Sequence, residues 1–149
     1  MKKLTIILFL IAHFVVAQDR SVIFNTGSPD STLGYTINSE QAIANRFMIN
    51  NHYVLEAMVF YMLAESIESA NVTVSIREDN NGIPGELVSE LSVWEHQIDL
   101  LHPANYNLIV TTDLCIYLDE GNYYWWQISA SDNNTQATWI QSNSPFYTY

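Results

Sequence analysis

Leu118-Asp119-Glu120-Gly121-Asn122-Tyr123-Tyr124-Trp125-Trp126-Gln127-Ile128-Ser129-Ala130 is the stretch on which the reading of this chain turns. An Asp-Glu-Gly-Asn turn feeds a run of consecutive aromatics, Tyr123 to Trp126. Side chains alternate between the two faces of a β-strand. Tyr124, Trp126 and Ile128 therefore form one phase, and Tyr123, Trp125 and Gln127 the other. A strand with aromatics on both faces is either covered on both sides or displays an adhesive surface.

The segments around it also read as short strands. Asn71-Val72-Thr73-Val74-Ser75-Ile76-Arg77 alternates cleanly, with Val72, Val74 and Ile76 on the apolar face, the pattern of a half-buried antiparallel strand. Glu78 to Gly85 is a turn-rich connector in which Asn81-Gly82 supplies positive φ. Glu86 to Val93 reads as the returning strand. Upstream, Ala42 to Ile49 and Tyr53 to Leu63 flank an Asn50-Asn51-His52 turn. Leu55, Met58, Val59 and Met62 have helical spacing, but the β-branched and aromatic content and the alternation of Met58, Phe60 and Met62 predict a strand. Ser21 to Phe24 reads as a first strand, Asn25 to Gln41 as a long loop, and Trp94 to Asn105 contains a loop around His102-Pro103. Tyr106 to Thr112, Leu114 to Leu118 and Thr138 to Gln141 complete the set. Short strands separated by turn signals, with no convincing helix, predict an all-β fold, an antiparallel β-sandwich of jelly-roll-like form.

The N-terminus reads as a secretory signal over residues 1–17. Lys2-Lys3 precede an apolar run from Leu4 to Val16, and Val15-Val16-Ala17 offers small residues ahead of a cut that leaves Gln18 first. The run is shorter than the roughly 18–20 apolar residues a spanning helix needs, so no membrane span is expected in the mature chain. Residues 18–149 are expected to form one domain around one core. Both lysines leave with the signal, so three arginines face sixteen acids and the net charge moves from −11 to −13. Such a surface repels nucleic acid and anionic membranes. The single cysteine, Cys115, excludes an intrachain disulfide and sits in an apolar strand, where a packed thiol is expected.

The ordered motifs resemble the choice-of-anchor R domain, a β-sandwich module of secreted bacterial proteins. The residues carrying the resemblance are Arg46-Phe47, then Tyr53-x-Leu55-x-x-Met58-x-Phe60. Val72 to Ile76 follows with its Asn81-Gly82-x-Pro84-Gly85 loop, and then Leu118-x-x-Gly121-x-Tyr123-Tyr124-Trp125. The resemblance implies a protein that is secreted or displayed on a bacterial cell surface, without enzymatic activity and without catalytic residues to carry over. Such proteins continue into a further strand and a sorting segment. This sequence closes on Ser144-Pro145-Phe146-Tyr147-Thr148-Tyr149, so a domain lacking that last strand and segment is expected.

Three kinds of chemistry bear on these residues. No nucleophile elbow, His-Glu-x-x-His, Walker loop or dinucleotide fingerprint is present. His96 and His102 lack a third ligand at zinc spacing. Calcium uses hard oxygen donors gathered in loops, and Asp79, Asn81, Asp119 and Asp132 lie in turn-rich segments; the same Asx residues also serve turns by bonding their own backbone. Finally, Tyr123 and Trp125, if outward, can join Trp139 as a flat platform for a sugar ring, with Gln127 and Gln141 bonding its hydroxyls. Such exposed patches mark binding sites, whereas buried aromatics would simply be core. The expected partners are thus a glycan or another surface protein.

Overall fold

The computed structural model describes residues 24–25, 29, 33–65, 70–99, 107–111, 114–140 and 147–148. The proposed signal segment, His102-Pro103 and Gln141 lie outside the described residues. The fold is all-β, and every strand pairing is antiparallel. Among the described residues no helix is long and apolar enough to cross a membrane.

The strands in chain order are β1 Phe24–Asn25, β2 Gly34–Ile37, β3 Ile43–Met48, β4 Tyr53–Leu55, β5 Met58–Ala64, β6 Ala70–Asn80 and β7 Ile83–Leu87. They continue with β8 Val93–Ile98, β9 Asn107–Thr111, β10 Ile116–Leu118, β11 Tyr123–Ala130, β12 Ala137–Ile140 and β13 Tyr147–Thr148. One sheet runs β3-β11-β6-β7, with β8 also on β6; a second runs β2-β12-β5-β9. Two small ribbons pair β4 with β10 and β1 with β13.

The aromatic strand β11 is central, flanked by β3 and β6. Its inward phase is Tyr124, Trp126 and Ile128, all buried. On β6, Val72, Val74 and Ile76 are fully buried, and on β5 so are Met58, Phe60 and Met62. These side chains form one cluster to which both large sheets contribute. Phe60 of β5 meets Trp126 of β11 edge-on at 5.0 Å and 86°, and Phe47 of β3 meets the same indole at 5.6 Å and 63°. Tilted and edge contacts at these separations are the geometry that aromatic quadrupoles favour.

Several local expectations are corrected. The presumed loop from Asn25 to Gln41 contains β2, an edge strand in which only Ile37 is buried, so it carries almost no periodic signal. Gly34 is required there: an added Cβ would collide with the carbonyl oxygen of Trp139 on β12. The stretch Tyr53 to Leu63 is two strands. β4 pairs with β10, while β5 pairs with β9 and β12. The return from Glu86 to Val93 is broken. β7 lies along Arg77–Asn80 and β8 along Ala70–Ser75 of the same β6 edge, and residues 88–92 step out between them. Ser92 is fully buried at this step, its hydroxyl within 3.1 Å of the Ile76 carbonyl and 2.6 Å of that of Ser89. The polar face of β6 is not wholly solvated either, since Ser75 is buried.

Cys115 is exposed rather than packed, at φ 50° just before β10. The alternation that buries Leu114, Ile116 and Leu118 turns Cys115 and Tyr117 outward. His96 lies on β8 opposite Val72, and partial burial holds its pKa below 6.5.

Candidate functional site

Three strands bring the outward phase of β11 together with two charged neighbours. Trp125 pairs across the sheet with Arg46 of β3 on one side and Arg77 of β6 on the other. Arg46 reaches to Asp79 near the end of β6 in a two-point contact, Nε to Oδ1 at 2.8 Å and Nη2 to Oδ2 at 2.9 Å. The Trp125 indole N–H donates to the same Oδ1 at 2.7 Å, and the Gly82 backbone N–H donates to Oδ2 at 3.1 Å. The Arg46 guanidinium also stacks on Tyr123, 3.8 Å from the ring centre, a favourable cation–π arrangement. Paired guanidinium–carboxylate forks are among the strong hydrogen bonds of proteins. The result is a latch across β3, β11 and β6. Above all the bond from Arg46 holds the Asp79 carboxyl below its usual 3.8; burial opposes it, and the bonds from Trp125 and Gly82 add to the lowering.

Beside the latch, the turn 119–122 folds against the end of β3. Gly121, at φ 79°, donates its N–H to the Ile49 carbonyl at 2.8 Å, and Ile49 donates to the Asn122 carbonyl at 3.1 Å. The buried Tyr124 accepts a bond from the Asp119 backbone N–H on its hydroxyl at 2.9 Å. This packing leaves an open depression of about 480 Å³ whose wall includes Glu78, Tyr117, Asp119, Asn122 and Tyr123. Tyr117 is 77% exposed and Tyr123 42%, so two phenol rings stand at its rim. On its outer side His52 lies 3.4 Å from Asp119 and 4.0 Å from Glu120.

The sugar platform expected from the sequence is not assembled. Trp139 belongs to β12 in the other sheet, opposite Met62, and packs edge-on against buried Phe60 at 5.8 Å. Its ring is spent on the core. Trp125 and Gln127 are on the outer face as expected, each half-buried, with Trp125 tied to Asp79. Of the expected aromatics only Tyr123 stands at the rim, with Arg46 stacked on one face of its ring. Tyr117, Glu78 and Asn122 were missed. The alternation of Leu114 to Leu118 carried the signal for Tyr117, because the residues on either side of it are the ones the core needs.

The calcium ligands expected from the sequence do not converge as a set. Asp79 gives both oxygens to Arg46, and Asn81 bonds Asn80 at 3.3 Å. Asp119 faces His52. Asp132 lies past the opposite end of β11 and serves its own turn. Its Oδ1 accepts from the backbone N–H groups of Asn134 and Thr135 at 2.9 and 2.8 Å, and its Oδ2 accepts from Asn71 at 3.2 Å. Among the described residues no three His, Cys, Asp or Glu side chains gather in a metal-holding group.

Asp132 gives a pH prediction. Its bonds from Asn71 and Thr135 hold its pKa below 3.8, so the native state releases this proton more readily than the unfolded chain. The stabilisation is complete above 3.8 and is lost as pH falls through the lower folded value. Wild type is therefore expected to exceed Asp132→Asn in urea unfolding at neutral pH, and the gap is expected to close well below 3.8. A gap that persists unchanged in acid would contradict the assigned bonds.

No family model and no curated protein matches this sequence.

Proposed function

We propose that the chain is a secreted, non-catalytic accessory module acting at the bacterial cell surface in display, adhesion or assembly. It engages its partner through the tyrosine-rimmed depression, and the ligand class is a glycan. The reading agrees with the signal-like N-terminus, the acidic balance and the resemblance to choice-of-anchor R domains. The observation that carries it is the pair of exposed rings, Tyr117 and Tyr123, on one open depression with Glu78 and Asn122 beside them. A pyranose offers an apolar face to a phenol ring and hydroxyls to a carboxylate and an amide. The latch behind Tyr123 fixes that ring, so little ordering is left to be done on binding.

The carboxylates of the wall favour a second reading, a surface protein presenting lysine or arginine. Salt separates the two, because ion pairs at an exposed site are screened and ring stacking is not.

A glycan panel read by intrinsic tryptophan fluorescence tests the proposal. Of the four tryptophans that contribute to the signal, Trp125 is the one bonded to Asp79 at the same wall. The expected result is a saturable change with at least one neutral glycan that survives high salt. No response to any glycan would overturn the glycan reading, and a response confined to basic peptides at low salt would replace it with the second.

A further inference from the structure

Asn81-Gly82 is the only Asn-Gly pair in the sequence. It forms the tip of the β6–β7 hairpin, both residues exposed, at φ 56° and 89°. Positive φ at both central residues is the requirement of the type I′ turn that suits a twisted hairpin. Glycine carries no side chain to shield its own amide nitrogen. An asparagine ahead of it is therefore the side-chain amide most open to attack from the backbone.

We propose that Asn81 is a site of spontaneous deamidation and that the Asp79 carboxylate is the lock that sets its rate in the folded protein. In the reaction the Gly82 nitrogen bonds to Cγ of Asn81 and the Cγ–Nδ2 bond breaks. Nδ2 leaves as ammonia, carrying the proton that Gly82 gives up. Water then opens the five-membered imide at one carbonyl or the other, yielding aspartate or isoaspartate. Nothing is oxidised or reduced, and water is the only co-reactant.

Two features of the hairpin oppose ring closure. The Gly82 N–H must be given up, yet it is bonded to Asp79 Oδ2 at 3.1 Å, where a fixed negative charge disfavours an amide anion. The turn is clamped by the pairs Asp79 with Pro84 and Asn80 with Ile83, which hold Asn81 in the left-handed region. Swinging the Gly82 nitrogen onto Cγ would break that geometry. Asp79 is itself held by Arg46 and Trp125, so the lock is anchored on two neighbouring strands. Conversion to isoaspartate would lengthen the main chain inside a two-residue turn. It would also add a carboxylate two residues from Asp79, which lines the depression.

The test is prolonged incubation of the folded protein at neutral pH, with peptide mass mapping of the amide-to-acid conversion. Wild type, Asp79→Asn and Arg46→Ala are compared, each shown to be folded by circular dichroism. Asp79→Asn removes the charge next to Gly82, whereas Arg46→Ala unties the latch and leaves that charge in place. Conversion at Asn81 is expected to be about tenfold faster in Asp79→Asn than in wild type, the order of factor expected when a charge-assisted hydrogen bond gives way to a weaker neutral one. Arg46→Ala is expected to accelerate it less, and all three are expected to converge when unfolded in urea. Equal acceleration in the two variants would overturn the lock, because general loosening would then explain both. Conversion at another asparagine ahead of Asn81 in unfolded wild type would overturn the site itself.

Discussion

Trp126→Ala is expected to lower the free energy of unfolding by about 3–5 kcal/mol, the usual cost of removing a buried large aromatic. The reason lies in its position. Trp126 is 6% exposed and stands on the central strand of one sheet, in contact with Phe47 of its neighbour and Phe60 of the second sheet. Truncation removes apolar area and leaves a void where side chains of the two sheets meet at this ring. Its neighbour Trp125 is on the other face, half-buried, with its indole nitrogen on Asp79. Trp125→Ala is expected to cost far less. Urea unfolding followed by circular dichroism separates the two through the midpoint at unchanged slope. A tolerated Trp126→Ala together with a severe Trp125→Ala would mean that the phase of the aromatic strand is reversed.

The second large effect is expected in binding rather than stability. Tyr117→Ala should weaken any glycan that stacks in the depression by about tenfold or more. The ring supplies the apolar area the sugar covers plus about 0.5–1.5 kcal/mol of specific aromatic contact. Tyr117 is mostly in solvent, so its removal should leave the melting temperature nearly unchanged. Tyr123→Ala should weaken binding as strongly but with a structural effect as well, because Arg46 rests on that ring. Tyr117 is thus the cleaner variant. Undiminished affinity in Tyr117→Ala would remove the ring from the site.

Much of the fold was legible because period-two alternation is a local property. It separated Tyr124, Trp126 and Ile128 from Tyr123, Trp125 and Gln127, gave Val72, Val74 and Ile76 one apolar face, and marked Asn81-Gly82 as a turn with positive φ. Alternation states a face, but not which sheet the face belongs to. Trp125 and Trp139 looked like platform partners because both are aromatic residues on late strands. Only long-range pairing separates them, β11 with β3 and β6, and β12 with β2 and β5. β2 escaped notice for a related reason. Its one buried residue, Ile37, follows a Gly, a Tyr and a Thr that stay exposed at a sheet edge. The acidic turns suggested calcium because oxygen donors cluster there in sequence. In space Asp79 is taken up by an arginine from a strand 33 residues away, and Asp132 by its own turn. Cys115 was misplaced although its neighbours held the answer: placing Leu114 and Ile116 inside leaves the thiol outside.

The most direct measurement on the central claim, that the tyrosine-rimmed depression is the binding site, is a titration of the isotopically labelled protein with the best glycan of the panel, followed by amide shifts residue by residue. Binding at the depression predicts shifts concentrated on Glu78, Tyr117, Asn122 and Tyr123, with Ala137 to Ile140 on the other sheet unmoved. Shifts centred on Trp139 and its neighbours, with the depression silent, would contradict it.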